Sequence, residues 1–338
     1  MANSTISRKT TKSRKAKTPP MPTVIKDPVE AAQAAGLHYI NHRMPGIRRK
    51  KRGRKFEYVG PDGERVGGVE LTRIKALGIP PAYKDVWISP LWNGHLQATG
   101  RDEKGRRQYR YHPRWQAVRD ESKFGRMLAF GAALPRLRER VAQDLTHQGL
   151  PREKTLAMIV RLLEETHIRV GNEQYARENE HYGLTTLHND HVDVTGATVH
   201  FHFRGKSGKD HAIDFRDRKL AKIIQKCQEL LGQDLFEYVD EAGQTHRIGS
   251  ADVNAYLKEI AGEDFTAKDF RTWAGTLLAA LALAECEASE SPTQCKKTIS
   301  DVIKAVAKEL GNTPAICRKC YVHPAILDAY TDGSLLEA

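Results

Sequence analysis

The segment from Thr266 to Glu285 places the strongest constraint on the fold. It reads TAKDFRTWAGTLLAALALAE, with polar first turns and an almost wholly apolar second half. A helix that is apolar on all sides has to be buried, so we predict a long helix inside a helical core. The apolar run from Leu277 to Ala284 is far too short to span a bilayer. Lys268 and Arg271 lie three residues apart in the first turns and share a face, which is a suitable platform for an anion.

A second segment, Leu310 to Ala325, places a tyrosine at a fixed distance from a helix start. Gly311 is predicted to end one helix, and the Thr313-Pro314 pair has the capping residue and proline that begin another. Tyr321 then follows about two turns later, with Arg318 and Lys319 just before it. A phenol is a poor nucleophile at neutral pH, but contact with a phosphodiester among cations can activate it. By itself the segment is more typical of an ordinary, half-buried tyrosine.

The positive charge of the chain is concentrated at its beginning. The net charge is +12, yet residues 1–55 contain 15 Lys/Arg and 2 Asp/Glu, so the remaining residues are close to neutral. Such an arm would attract a polyanion in a salt-sensitive, sequence-independent way. The alternatives are a solubilising tail and a patch for a membrane surface. Any nucleic-acid binding by the rest of the chain has to come from local arrangement of its side chains.

Composition argues against several other classes of protein. The first residues lack the apolar core of a secretory signal, and five cysteines, an odd number, favour reduced thiols and an intracellular protein. Cys317 and Cys320 form a CxxC pair, but no second pair or nearby histidine completes a zinc site. We therefore predict no metal, no nucleotide cofactor and no membrane partner.

The N-terminal part reads as a small β-rich domain that ends in a polar aromatic strand. In the sequence GRDEKGRRQYRYHPRW, Tyr109 and Tyr111 alternate with an arginine, so both point to one face of a strand. Gln108 and Arg107 precede them. This face could contact phosphates and base edges in a DNA groove. It could equally be a sheet edge with half-buried tyrosines, and the residues alone leave both interpretations open.

From Asp120 onward helical periodicity dominates, interrupted by one predicted hairpin. Arg169 lies just where a helix pattern ends before Gly171, a position that can hold a side chain against a phosphate. Residues 199–215 alternate as two strands around the turn RGKSGKD, with Lys206 at its tip. A lysine on such a tip can deliver a proton to a site. The turn lacks the leading glycine and following helix of a nucleotide phosphate loop, so we reject ATP binding.

Six motifs in a fixed order resemble the type IB DNA topoisomerases, in their bacterial and poxvirus-like branch. They are IPPAYKDVWISP, GHLQATGRDEKGRRQYRYHPRW, IRVGNEQYA, FRGKSGK, FTAKDFRTWAGT and CRKCYVHP, and the resemblance covers roughly residues 45–335. The resemblance implies an α+β fold arranged as a two-lobed DNA clamp. A small β-rich N-terminal domain would pair with a larger, mainly α-helical catalytic domain that contains a small β-sheet. The implied domains are a basic disordered tail over residues 1–35, a DNA-binding domain over residues 36–118 and a catalytic domain over residues 119–338.

The resemblance also implies a role for each residue that matches a family motif. Tyr321 resembles the nucleophile, Arg169 and Arg271 the two catalytic arginines, and Lys206 the general acid. The implied DNA-contacting residues are Lys268, Gln108, Tyr109, Tyr111 and Arg107.

One position departs from the pattern of many relatives. They have a histidine nine residues before the tyrosine, where this chain has Asn312. Asparagine can donate a hydrogen bond to a phosphate oxygen but cannot act as an acid or base, so we assign it as a neutral transition-state donor.

The implied activity is relaxation of supercoiled duplex DNA without ATP or metal. One strand is cut through a 3′-phosphotyrosyl bond, swivels and is resealed. The expected protein is a cytoplasmic, nucleoid-associated monomer with duplex DNA as its partner. A tyrosine recombinase is the enzymatic alternative, and a non-catalytic DNA-binding or chromatin protein is the alternative from another class.

Overall fold

The chain folds into two units, each with its own core. The computed structural model describes residues 27–53, 55–286 and 291–336, and backbone contacts divide the chain into Met1–Gly125 and Arg126–Ala338. Helices combine with antiparallel sheets, so the predicted α+β class is confirmed. In the part of the chain that the structure describes, no helix is long and apolar enough to cross a membrane.

The N-terminal unit is built on a five-stranded antiparallel sheet. Its elements are α1 (Pro28–Ala34), β1 (Ile47–Arg52), β2 (Lys55–Val59), α2 (Gly68–Ala76), β3 (Lys84–Ile88), β4 (Leu96–Arg101) and β5 (Arg107–Tyr111). The strand order is β2-β1-β3-β4-β5. Helix α3 (Pro113–Asp144) follows, and the predicted domain boundary between residues 118 and 119 lies within it.

Helix α1 begins inside the predicted disordered tail of residues 1–35. The Asp27 carboxylate accepts hydrogen bonds from the N–H groups of Val29 and Glu30, and Pro28 occupies the first helical position. These are the local signals that start a helix. The predicted tail is therefore too long at its C-terminal end, and its residues 1–26 lie outside the described residues.

The C-terminal unit is mainly helical. After α3 come α4 (Arg152–Thr166), α5 (Glu173–Asn179), β6 (Val192–Thr195), β7 (Thr198–Arg204), β8 (Asp210–Arg216) and α6 (Arg218–Gln228). The remaining elements are β9 (Glu237–Val239), β10 (Thr245–Arg247), α7 (Ser250–Ala261), α8 (Ala267–Ala284), α9 (Pro292–Glu309), α10 (Pro314–Cys320) and α11 (Pro324–Thr331).

Helix α8 contributes to two apolar clusters at once. Phe270, near its beginning, belongs to the large core that also includes most of α4, whereas Ala279 and Leu283 pack with α9 and α11. The prediction that its second half is wholly buried is wrong, since Leu277 and Leu281 are 45% and 55% exposed. These two leucines lie four residues apart on one face of the helix. They are exposed because the neighbouring helices cover only the opposite face.

The predicted hairpin is confirmed. Strands β6, β7 and β8 form an antiparallel sheet, and β7 pairs with β8 from Thr198↔Arg216 to Arg204↔Asp210. The connecting turn contains Lys206, and Ser207 within it has a positive φ of 69°. The hairpin therefore presents Lys206 at its tip, next to Gly205 at the end of β7.

Candidate active site

Arg271 on α8 links the ends of two other helices. Its side chain is only 4% exposed, and its guanidinium donates hydrogen bonds to the carbonyl oxygens of His167 and Leu310, the latter at 2.6 Å. His167 caps α4 with a left-handed φ of 55°, and Leu310 caps α9. One buried cation thus fixes the segment after α4 and the segment after α9 relative to each other.

The charge on Arg271 is held in an unfavourable environment. Burial lowers its pKa to about 10, and the nearby Arg169 contributes to the same shift, whereas Tyr321 acts against it. The guanidinium still carries its proton at neutral pH. Two cations with little solvent between them favour the arrival of an anion, since an anion would relieve both burial and repulsion.

Arg169 and Asn312 are joined directly. A guanidinium nitrogen of Arg169 donates to the side-chain oxygen of Asn312 at 2.6 Å, across 143 positions of sequence. The Arg169 backbone is fixed because its carbonyl accepts from Leu184 N–H at 2.8 Å. Asn312 follows Gly311, whose φ of 61° ends α9 as predicted, and its own N–H donates to the Ala307 carbonyl at 2.8 Å.

Tyr321 lies at the end of α10, with its backbone against α8. The Thr276 hydroxyl donates to the Tyr321 carbonyl at 3.1 Å and accepts from His323 N–H at 3.0 Å. A Cβ added to Gly275 would lie 2.8 Å from that carbonyl oxygen, so only glycine permits this approach. The Arg271 guanidinium carbon is 5.2 Å from the centre of the Tyr321 ring, which places the phenol beside the buried cation.

The beginning of α10 is formed as predicted. The Thr313 hydroxyl accepts from Ile316 N–H at 3.4 Å, and Pro314 is the first helical residue. Cys317 is buried and Cys320 half-buried, and both are free thiols. Burial raises the pKa of Cys317 to about 11, so it is a protonated packing residue near neutral pH.

Lys206 lies on the tip of the β7–β8 hairpin. Its side chain is exposed and has no hydrogen bond or ion pair with the described residues. The same turn reaches Asn312, because the Lys209 ammonium nitrogen is 3.4 Å from the Asn312 carbonyl oxygen. The structure therefore brings Arg169, Arg271, Asn312 and Tyr321 together, and the tip that carries Lys206 adjoins them.

The remaining predicted DNA contacts have different surroundings. In the N-terminal unit, Tyr109 is 46% exposed and its ring stacks with Tyr111 at 6.0 Å, so the two rings share a face as predicted. Gln108 is half-buried and donates to Asp102 at 2.9 Å, and Arg107 is half-buried.

Lys268 and Arg271 are not presented equally on α8. Lys268 is exposed in the first turn, whereas Arg271, one turn later, is buried. The expected platform of two cations stays a prediction, and the structure adds that only Lys268 of the pair is exposed. The difference arises because Arg271 lies over the ends of α4 and α9.

Three buried nitrogens at the candidate site have no partner among the described residues. They are Nε of Arg271, Nδ2 of Asn312 and Nδ1 of His167. Buried donors are rarely left unpaired in folded proteins. The first two belong to residues that the family resemblance assigns to phosphate contact, and phosphate oxygens are acceptors of the kind that each nitrogen lacks. The arrangement can therefore stabilise charge on a bound phosphoryl group.

One cluster of the described residues has metal-ligand side chains. The possible ligand atoms of His188, Asp190 and His191 lie within 4.8 Å of one another. However, Nδ1 of His191 already accepts from His188 N–H at 3.0 Å. The two rings stack 5.3 Å apart at 19°. With Nδ1 engaged, His191 could offer only its Nε2 atom to an ion.

Sequence reasoning missed two histidines at the candidate site. His167 supplies the carbonyl that holds Arg271, and the His211 ring lies near Arg169, Arg271 and Gly311. A histidine at a helix end gives no distinctive sequence signal. For His211, the only signal is its register on the hairpin, directly opposite Phe203.

Comparison with known proteins covers both units. Residues 112–334 match the family model for the catalytic core of eukaryotic DNA topoisomerase I, and residues 55–102 match the model for the N-terminal domain of bacterial DNA topoisomerase IB. The chain is 33% identical over 300 residues to DNA topoisomerase 1B of Acanthamoeba polyphaga mimivirus, covering 86% of this chain and 89% of the relative. It is 24% identical over 257 residues to DNA topoisomerase 1B of Vaccinia virus (strain Copenhagen), covering 75% and 78%.

Proposed function

Because the chain belongs to the type IB DNA topoisomerase family, we propose that Tyr321 is the nucleophile that cuts one strand of supercoiled duplex DNA. The phenol oxygen attacks the scissile phosphorus, a 3′-phosphotyrosyl bond forms, and the bond to the 5′-oxygen breaks. The observation that carries this proposal is the convergence of Arg271, Arg169 and Asn312 beside the Tyr321 ring. These residues come from four separate segments of the chain.

In this proposal Arg169, Arg271 and Asn312 stabilise the charge on the phosphoryl oxygens. Phosphoryl transfer depends mostly on positioning and on charge stabilisation, and donors that are already oriented contribute most. The unpaired nitrogens of Arg271 and Asn312 are such donors. Asn312 stays neutral throughout the reaction, since an amide side chain neither gains nor loses a proton near neutral pH.

Lys206 is proposed as the general acid. The departing 5′-oxygen takes its proton from the Lys206 ammonium group, while the proton of the Tyr321 hydroxyl is released to solvent. The free 5′-hydroxyl strand then swivels around the intact strand, which relaxes supercoils. The same hydroxyl attacks the phosphotyrosyl bond and restores both the DNA and the tyrosine.

The exchange conserves the energy of the phosphodiester bond. One phosphoester replaces another in each direction, so the cycle we propose uses no ATP. The arginines provide the charge stabilisation that a metal ion provides in other phosphoryl-transfer enzymes, and the proposed cycle therefore needs no metal.

The N-terminal unit is proposed to contact the duplex through the face that carries Tyr109 and Tyr111, with Gln108 and Arg107 beside it. Lys268, exposed at the start of α8, is proposed as a phosphate contact of the catalytic unit. The two-lobed clamp, the monomeric state and the cytoplasmic, nucleoid-associated location stay predictions from the family resemblance.

Covalent trapping tests the proposal directly. Supercoiled plasmid is incubated with the protein in EDTA and without ATP, and the reaction is stopped by rapid denaturation. We expect ladders of relaxed topoisomers and protein linked to 3′ DNA ends, with neither product from Tyr321→Phe, which should still shift DNA in a gel. Adduct from that variant would show that another residue is the nucleophile. Products restricted to paired sites would indicate a recombinase.

A further inference from the structure

The His211 side chain occupies a gap between two glycines that precede two proposed site residues. Gly205 comes directly before Lys206, and Gly311 directly before Asn312. A Cβ added to Gly205 would lie 2.6 Å from the His211 ring, and one added to Gly311 would lie 2.7 Å from its Cε1 atom. Cβ atoms do not approach other heavy atoms this closely, so the ring fits only because both positions lack a side chain.

Two further contacts hold the His211 ring and the hairpin turn in place. The His211 ring stacks on Phe203, its partner in the β7–β8 register, with 5.0 Å between ring centres and 11° between planes. On the far side of the turn, Lys209 reaches the Asn312 carbonyl at 3.4 Å. The hairpin is thus held against the end of α9 by one ring and one ammonium group.

The charges around His211 favour its neutral form. Burial lowers its pKa, and Arg169, Arg271 and Lys209 lower it further, while Asp210 acts in the opposite direction. Glu309 at the end of α9 is the other charged residue that lines the same small cavity. A protonated ring would add a cation beside two guanidinium groups, so the ring packs at this position as an uncharged spacer.

We propose that His211 is a positioning residue that seats the Lys206 hairpin against the Gly311-Asn312 turn, so that the lysine and the amide face the same phosphate. The inference rests on the proposed function, since it assumes that Lys206 acts as the acid. His211 itself need not touch DNA. Its substitution should therefore impair the step that depends on Lys206 more than the steps that depend on Arg169 or Arg271.

The test compares two DNA substrates, one whose leaving group needs a proton from an acid and one whose leaving group does not. Single-turnover cleavage is measured on a duplex whose scissile 5′-oxygen is intact and on one in which sulfur replaces that oxygen. A thiolate leaves readily without a proton, so a defect in acid catalysis should disappear with the sulfur substrate. General acids contribute about 100-fold or more, and partial misplacement should cost about 10-fold. We expect His211→Ala to slow cleavage about 10-fold with oxygen and to stay within about threefold of the unmodified protein with sulfur.

The matched control is His202→Ala. His202 is exposed on β7, on the same hairpin, and pairs with Ala212, so its removal should leave both rates unchanged. If His211→Ala does not fold, as judged by thermal unfolding, His211→Asn provides the same measurement. Equal losses with oxygen and sulfur, or no loss with either, would overturn the proposed role of His211.

Failure of the underlying function gives different results. Lys206→Ala should lose far more with oxygen than His211→Ala and should recover with sulfur. If it does not recover, Lys206 is not the acid, whatever His211 does. If the unmodified protein cleaves neither substrate, the proposed function itself is wrong.

Discussion

The proposed charge-stabilising cation and the proposed acid are held in opposite ways. Arg271 is buried on α8 and donates to carbonyls at the ends of α4 and α9. Lys206 is exposed at a hairpin tip, with no partner for its side chain in the described residues. The difference suggests a division of labour. In the proposed mechanism, the cation that stabilises charge is fixed by the fold before DNA binds, whereas the cation that donates a proton is exposed and would be ordered by DNA.

The largest expected effect comes from the buried cation. Arg271→Ala should slow single-turnover cleavage about 100- to 1,000-fold, because it removes a preorganised charge. It should also destabilise the protein by roughly 2–5 kcal/mol, since two buried carbonyls lose their donor. Quenched single-turnover assays measure the cleavage rate, and denaturant unfolding measures the stability. Arg271→Lys is the control, because it keeps a charge without the planar fork. A stable, active Arg271→Ala protein would contradict the contrast.

The exposed lysine should affect the rate alone. We expect Lys206→Ala to slow cleavage about 100-fold while the unfolding midpoint stays unchanged, because its side chain has no partner to lose. The same pair of assays applies. Arg216→Ala, exposed at the far end of β8, controls for a general loss of positive charge on the hairpin. A fall in stability comparable to that of Arg271→Ala would show that the tip is as firmly packed as α8.

A smaller effect is expected where α8 meets the nucleophile. Gly275→Ala places a Cβ 2.8 Å from the Tyr321 carbonyl oxygen and 2.9 Å from its Cβ. Displacement of Tyr321 by even part of an ångström should slow covalent complex formation about 10-fold, since geometry of attack is critical. Ala284→Gly, at the exposed end of the same helix, is the control for helix stability. An unchanged rate would show that the Tyr321 segment can shift to accommodate the added Cβ without loss of activity.

The smallest effect concerns pH and the seat of the hairpin. The pKa of His211 is lowered in the folded protein, so the unfolded chain binds a proton more readily. The contribution of this residue to stability is therefore complete above about pH 6.5 and declines as the pH falls. Unfolding midpoints at pH 7.5 and pH 5.5 measure it. His211→Ala should show a smaller difference between the two pH values than the unmodified protein, and an equal difference would contradict this assignment.

Local signals predicted much of the site's framework. The Thr313-Pro314 start of α10, the Gly311 end of α9 and the Lys206 turn each depend on a few neighbouring residues, and the structure has all three. The family resemblance selected the residues, and the comparisons confirm the family. The roles of those residues stay predictions. The burial of α8 was overestimated because apolar content does not tell how many sides of a helix receive neighbours.

The sequence by itself determined the start of α10, the end of α9, the β7–β8 hairpin and the tyrosine that follows a capped turn, because these depend on contacts between residues close in the chain. Only the tertiary structure decided that Arg271 is buried while Lys268 is exposed, that Arg169 meets Asn312, and that His211 fills the gap between two glycines. Those facts depend on how α4, α8, α9 and the hairpin pack. Packing of distant segments is set by the shape of whole faces, which no local pattern records.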